Sequence, residues 1–385
     1  MEHVVVLGAG IFGVTSALSL RARGWAVTLV DPSPLPAPLA SSTDRSKVIR
    51  ADDGVDDFLS RLAETSLRGW REWNRERFTR PLFHEVGFLL LRGSPMEEGG
   101  FEHGSFTTLK ERGFRVERVD PETLRRRFPA WNADLYPDGY LSHEAGWAES
   151  GEVVFQLVRE AADRGVELVQ DGGQSLVERG GRVRGVRLAS GTILEGDAVV
   201  LATGAWSASF LGEVRVFRAS GMPVLLFAPE DPRPFRPPSF PVWGADIART
   251  GWYGFPAGED GVVKVGHHGT GYSADPDQPP GVSREWEDRC RSFLRESLPG
   301  LASAPKVGSR TCFYCDSRDG DFWIDRDPDR PGLVVATGGS GHGFKFAPVL
   351  GDLVASAVEG GATVPRFRWR PDSPAAVEEA RYTGA

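Results

Sequence analysis

Lysine is scarce in this 385-residue chain: five (Lys47, Lys110, Lys264, Lys306 and Lys345) stand against forty arginines. A chain that otherwise chooses Arg keeps Lys where a compact, titratable ammonium is wanted, which singles out Lys47, Lys264 and Lys345; the plain alternative is drift among surface residues. Cysteine is scarcer still. Cys290 shares helical spacing with Trp286, Phe293 and Leu294 and reads as a buried apolar residue. Cys312 and Cys315 form a C-x-x-C, but no second pair or nearby His completes a zinc site, so no metal is expected. An odd, sparse set is no disulfide framework either. The densest chemical signal is Gly8-Ala9-Gly10-Ile11-Phe12-Gly13, with Asp31 lying 23 residues after Gly8. Glycines at this spacing permit a tight turn, close backbone approach to a pyrophosphate and helix-on-strand packing, and the acidic residue stands where a ribose hydroxyl needs an acceptor.

These residues need particular elements beneath them. Val4 to Leu7 is an apolar β-branched run and reads as a buried strand, while Ile11, Val14, Ala17, Leu18 and Leu20 continue at helical spacing. The helix N-terminus presents free N–H groups to phosphates. A bland βα turn uses such glycines too, but the strand before, the helix after and Asp31 in position together indicate a dinucleotide site. Trp25 to Val30 is the next strand, followed by a Pro-rich loop (Pro32 to Pro38) and the polar stretch Ser41 to Arg50, which either folds over the nucleotide or is solvated. Further helices are expected at 56–73, 122–127, 152–163, 283–298 and 346–358. Strands are expected at 88–91, 166–169, 175–188 around Gly180-Gly181, 198–203, 252–255, 262–267 and 332–337.

The net charge of −8 favours solubility and argues against a nucleic-acid surface. The uncharged run Val4 to Leu20 holds three glycines, a threonine and two serines, a poor membrane span, and no basic region marks a signal peptide. The expectation is a cytoplasmic protein, monomeric or a small homo-oligomer, working on a small molecule without membrane or nucleic acid. After the strand at 332–337, Gly338-Gly339-Ser340-Gly341-His342-Gly343-Phe344-Lys345 and a helix repeat the strand–glycine–helix arrangement. A nicotinamide enzyme needs one such turn, whereas a bulky cofactor threaded through a domain uses several, which favours FAD.

Taken together, these segments resemble the flavin oxidases related to D-amino acid oxidase, and within them the branch of monomeric sarcosine oxidase and the fructosyl amino acid oxidases (amadoriases). Four motifs carry the resemblance: Gly8 to Gly13 with Asp31; Ser41 to Arg50; Val263-Lys264-Val265-Gly266-His267-His268; and Cys312-Phe313-Tyr314 with Gly339 to Phe346. The fold implied is α/β, a Rossmann-like FAD-binding domain (1–75, 150–215 and 325–365) with an interleaved mixed β-rich, α+β substrate domain (76–149 and 216–324) and a peripheral tail (366–385). The cofactor-binding set implied is Gly8, Gly10, Ile11, Phe12, Gly13, Asp31, Ser41, Ser42, Lys47, Gly204, Trp206, Gly339, Gly341, His342, Gly343 and Lys345, with FAD joined covalently to Cys312.

The same resemblance assigns Lys264 to the reaction of reduced flavin with O2, His268 and Lys47 to the active site, and Arg50 and Lys345 to the substrate carboxylate. Tyr253 and Tyr314 line the substrate cavity. Two departures matter. The loop reads D-x-x-K-x-x-R, and Asp316-Ser317 follow the Cys motif, both closer to the fructosyl amino acid oxidases. Asp53 and Val55 stand where sarcosine oxidases carry Tyr and Glu, so Asp53 meets a sugar hydroxyl, a second amine or water. The activity implied is oxidation of an N-substituted amino acid by hydride transfer to flavin, with imine hydrolysis and O2 reduced to hydrogen peroxide. The alternatives are a dehydrogenase of the same fold feeding an electron carrier, a catalytically silent flavin- or partner-binding protein, and a nicotinamide dehydrogenase.

Overall fold

The protein is described from a computed structural model covering residues 1–212, 216–376 and 378–384; the sequence boundary set at 215 lies outside the described residues. The first strand, His3–Leu7, is buried on both faces along Val4 to Leu7, which suits a β-branched run in a parallel sheet covered on both sides. It lies inside a six-stranded sheet ordered Trp323–Arg326, Leu333–Thr337, Ala198–Leu201, His3–Leu7, Ala26–Asp31 and Glu167–Gln170. Val5 faces Val199 on one side and Thr28 on the other, both in parallel register, and only the edge strand at 323–326 runs antiparallel. Against this sheet pack the helices Ile11–Ala22 and Ala347–Val358, and Ser150–Asp163 packs on the first of them. A Cβ on Gly351 would come 2.3 Å from the Thr15 carbonyl oxygen, so glycine sets how closely the helices Ile11–Ala22 and Ala347–Val358 approach.

A nine-stranded mixed sheet forms the second layer. Its organising strand is Phe217–Phe227, paired on one side with Lys306–Ser317 and on the other with Val263–His267. The sequence pattern hides it, because Gly221 and Pro223 interrupt the run. Through this strand Cys312 is placed opposite Met222 and Lys264 opposite Leu226. The polar stretch after the Pro-rich loop becomes a 3-10 turn at Ser41–Thr43 and a short strand, Lys47–Ile49, antiparallel to Gly146–Ala148. The expected helices and strands all form, with ends shifted by a few residues, and the helix Phe101–Glu111 joins them.

The C-terminal segment corrects one expectation. Instead of a peripheral tail, the described residues after 365 are tied to the stretch before Trp323: Arg366 pairs with Asp321, Arg370 with Asp319, and Arg381 holds Asp316 with both guanidinium arms at 2.8 and 2.9 Å. Its charged, aperiodic sequence reads as solvated, but those charges are spent on loop carboxylates that local spacing does not reveal. Among the described residues, no helix is long and apolar enough to cross a membrane, and no cluster of three potential metal ligands occurs.

Candidate active site

A cavity of about 460 Å³ opens at the carboxyl ends of the parallel strands, where open α/β sheets bind ligands. Gly8, Gly10, Ile11, Phe12 and Asp31 are among the residues that line it. Gly8 sits at φ +102°, and a Cβ there would lie 2.5 Å from the Ala202 carbonyl oxygen, so only glycine lets the turn thread past the neighbouring strand. Gly13 is tighter still, its notional Cβ 1.7 Å from the Gly8 carbonyl oxygen; its task is to press the helix onto the strand. Asp31 accepts the Ala9 N–H at 2.9 Å and the Ser33 N–H at 3.1 Å. Burial raises its carboxyl above the ordinary value and these two N–H groups oppose the rise. Ser42 Oγ accepts the Ile11 N–H at 3.1 Å, tying the polar stretch to the helix start. Ser41, Gly204, Trp206, Gly339, Gly341 and Gly343 complete the lining, and Trp206 Nε1 is fixed by Asp277 at 2.6 Å.

A second cavity, about 80 Å³, adjoins it. Lys47, Tyr314 and Gly341 belong to both walls, so the two spaces meet there. The smaller one carries Arg50, His268, Lys345, Tyr253 and Phe255. Lys345 is fixed through its backbone, because its carbonyl accepts Trp70 Nε1–H at 2.8 Å and the Ser66 hydroxyl at 2.5 Å. Both donors lie on the buried face of the helix Asp57–Glu76, whose N-terminus is capped by Asp56. The Lys345 ammonium donates to Asp53. Arg50 donates from Nη2 to Glu378 at 3.1 Å and stands 3.5 Å from Asp53 through Nη1. Arg50 Nη1 and Asp53 Oδ2 are buried without hydrogen-bond partners. A planar carboxylate is the natural ligand for a free guanidinium arm.

Beside the junction lies a knot of charge. Asp44 Oδ2 accepts from Lys264 at 2.5 Å and from Lys47 at 3.3 Å, and Arg310 stands 4.0 Å from its other oxygen. Burial would raise the Asp44 carboxyl, but Lys264, Lys47 and Arg310 hold it well below the ordinary range. Burial pushes the Lys264 ammonium down to about 8, with Asp44 opposing. Its remaining contacts are the Ser46 carbonyl at 2.7 Å and the Phe255 ring at 4.5 Å. Lys47 also donates to Cys312 Sγ at 3.3 Å, and although burial alone would lower its ammonium, Cys312 and Asp44 raise it.

The sequence-derived residues thus fall into three places. Gly8, Gly10, Ile11, Phe12, Asp31, Ser41, Ser42, Gly204, Trp206, Gly339, Gly341 and Gly343 meet at the large cavity, with Gly13 packed beneath Gly8; Arg50, Tyr253, Tyr314, His268 and Lys345 meet at the small one, with Asp53 held by Lys345; Lys47, Lys264 and Cys312 meet behind their junction. His342 and Lys345, both expected against the cofactor, line the small cavity; His342 is stacked on Phe322 with ring centroids 5.0 Å apart and bonded to the Gly320 carbonyl at 3.1 Å. Cys312 and Cys315 sit three apart on one strand, so they point to opposite faces and cannot share a ligand. Cys315 Sγ lies 3.3 Å from Thr337 Oγ1, and burial pushes its thiol up to about 11. Sequence reasoning missed Glu378 and the role of Asp44. Glu378 lies 328 residues from Arg50 and carried no signal; Asp44 stands within the D-x-x-K-x-x-R stretch, where its buried cation partners were invisible.

The family model for FAD dependent oxidoreductases (DAO) matches residues 3–357. The chain is 26% identical over 367 residues to the monomeric sarcosine oxidase of a Bacillus species, covering 94% of this chain and 93% of that one. It is 25% identical to the N-methyl-L-tryptophan oxidase of Escherichia coli, over 91% of this chain and 93% of that one. Among solved structures, the fructosamine oxidase (amadoriase II) of Aspergillus fumigatus superposes with a TM-score of 0.86 at 26% identity, covering 100% of this chain and 94% of that one. With a dinucleotide cavity at the strand ends and a match along nearly its whole length, the chain belongs to the DAO family of FAD-dependent oxidoreductases.

Proposed function

We infer that this enzyme oxidises a secondary amine, an N-substituted amino acid such as a fructosyl or N-methyl amino acid, with O2 as the acceptor. The observation that carries the reading is the small cavity with its buried Arg50 Nη1, which lacks a hydrogen-bond partner, opening at Lys47, Tyr314 and Gly341 into the dinucleotide cavity. The large cavity fits FAD: a glycine cradle no side chain could occupy, and a buried carboxylate, Asp31, in its lining for ribose hydroxyls. Bound FAD supplies the acceptor for the hydride leaving the carbon beside nitrogen and passes two electrons on to O2, so that amine and O2 become imine and hydrogen peroxide before water splits the imine. Arg50 and Lys345 hold the substrate carboxylate and so fix which C–H faces the cofactor. Lys264 supplies a fixed positive charge beside the site where O2 takes on negative charge. Cys312, whose sulfur accepts from the Lys47 ammonium at 3.3 Å, is the thiol assigned to anchor the flavin ring.

The test begins with an absorption spectrum of the purified protein and acid precipitation. Yellow colour retained in the pellet is expected, and Cys312→Ser should release it to the supernatant while leaving the protein yellow before acid. Anaerobic mixing with N-methyl and fructosyl amino acids should bleach the colour, and admitting air should restore it with one peroxide per turnover. Bleaching without peroxide would move the enzyme to the dehydrogenases that feed a carrier. A colourless protein that takes up no added FAD would overturn the reading.

Gly13→Ala makes a separate prediction. Its methyl would drive into the Gly8 carbonyl, so the turn must open and the cradle with it. We expect a purified variant with less than about a tenth of the wild-type flavin-to-protein absorbance ratio and a destabilisation of about 1–3 kcal/mol, the scale of forced overpacking in a tight site.

A further inference from the structure

Glu378 lies on the C-terminal strap and belongs to none of the sequence motifs. It reaches the small cavity from behind, its Oε2 3.0 Å from His268 Nε2 and its Oε1 accepting from Arg50 at 3.1 Å. The other ring nitrogen, His268 Nδ1, lies 3.3 Å from the Tyr314 hydroxyl, and Tyr314 is one of the side chains shared by both cavities. A carboxylate, an imidazole and a phenol therefore form a line ending at the junction where the substrate nitrogen must stand.

The strap holds Glu378 in place. Arg381 grips Asp316 with both arms and donates from Nε to the Gly269 carbonyl at 2.7 Å; the Tyr382 N–H donates to the His268 carbonyl at 3.1 Å. The same segment thus fixes both ends of the Glu378–His268 bond, on either side of the imidazole.

We propose that Glu378 is a positioning residue: it keeps His268 in the Nε2–H form, so that Nδ1, directly or through Tyr314, accepts the proton a substrate ammonium must shed to become the reactive free amine. The proton leaves the substrate nitrogen, the N–H bond pair stays on that nitrogen, and the resulting imidazolium is balanced by the Glu378 carboxylate. Nothing is oxidised in this step. The groups facing His268 are Glu378 on the strap, Tyr314 on its strand with the Arg381 guanidinium 5.6 Å above that ring, neighbouring His267, and Lys47, Arg50, His342 and Lys345 around the cavity. Four of these, Lys47, Arg50, Lys345 and Arg381, are cationic, and Glu378 is the anion among them. Glu378 is the acid that hydrogen-bonds His268, and it is itself anionic: burial would raise its carboxyl, but His268, His342 and Arg50 hold it well below the ordinary range. This assignment rests on the amine-oxidase reading above.

The experiment uses the flavin-loaded protein and reads two quantities. Anaerobic stopped-flow gives the rate of bleaching by an N-methyl amino acid against pH, and nitrogen-15 NMR of histidine-labelled enzyme gives the tautomer and titration of His268, assigned by the signal missing from His268→Asn. Expected are an Nε2–H tautomer in the wild type and, in Glu378→Gln, a His268 titration and a rising limb of bleaching both moved down by about 1–3 pH units, the effect of losing an adjacent opposite charge. In the His268→Asn background, adding Glu378→Gln should move the limb no further. An unchanged His268 titration in Glu378→Gln, or a limb shift that survives in His268→Asn, overturns the proposal. Should Glu378→Gln fail to fold, the wild-type spectrum decides, and a proton on Nδ1 instead of Nε2 overturns it. If no amine bleaches the wild type, the amine-oxidase reading has failed, and the proposal, which rests on it, falls with it; the NMR arm then reports only whether the Glu378–His268 pair exists.

Discussion

Replacing Lys264 with Met should slow the reaction of the reduced enzyme with O2 about 10²- to 10³-fold, the loss usual when one preorganised charge is taken from a developing anion. Reduction by the amine should change no more than a few-fold. The asymmetry follows from placement. Lys264 is 1% exposed, on the strand Val263–His267, and two of its ammonium protons are committed to Asp44 and the Ser46 carbonyl. Arg50 and Lys345, proposed to hold the substrate carboxylate, line the small cavity, which Lys264 does not, and keep their own carboxylates. Met preserves most of the buried volume, and Asp44 retains Lys47 and Arg310, so the fold should survive the change.

The same lysine sets a pH dependence whose sign is fixed. Burial brings its ammonium down to about 8, so the charge is present below that value and lost above it. The O2 reaction should therefore fall as pH rises through about 8 and become flat in Lys264→Met. Stopped-flow reoxidation after anaerobic reduction measures both effects. An equal fall in the two half-reactions, or a pH limb that persists in the variant, would remove Lys264 from the O2 step.

What the sequence made legible divides along one physical line. The glycine turn and Asp31 could be read because strand, turn, helix and acid follow one another within about one βαβ unit. The Lys264 and Cys312 motifs could be read as words, but the strand that brings them together could not, since Gly221 and Pro223 erase its alternation. Asp44 shows the next level of difficulty. Its neighbours in sequence are polar and suggest a solvated loop, whereas Lys264, 220 residues away, turns it into a buried counter-ion. Contacts closed over hundreds of residues leave no spacing to recognise, and the acids that balance Arg50, Lys264 and His268 are of that kind.

Those acids also shape the second large effect. Arg50→Met should weaken binding of an amino-acid substrate by about 10²- to 10³-fold, within the 2–5 kcal/mol typical of truncating one partner of a buried charge pair. Loss of attraction is half of the argument. Arg50 lies between Asp53 and Glu378, and without it the cavity presents those two carboxylates with Lys345, His268 and His342 left to answer them. An incoming carboxylate then meets repulsion where it had met a guanidinium arm. Acidification should lessen the defect. Burial favours the protonated Glu378 carboxyl, and Arg50 is one of the charges that hold it ionised, so in the variant Glu378 takes up a proton at a higher pH than before. Arg50→Lys should recover part of the loss, since it restores the charge but not the planar fork. The informative comparison is an N-methyl amino acid against the same amine lacking its carboxylate, with dissociation constants taken from the flavin spectrum in the absence of O2. The amino acid should lose its advantage in Arg50→Met while the plain amine binds nearly as before. If both weaken equally, Arg50 supports the shape of the cavity instead of holding the carboxylate, and that task passes to Lys345 alone.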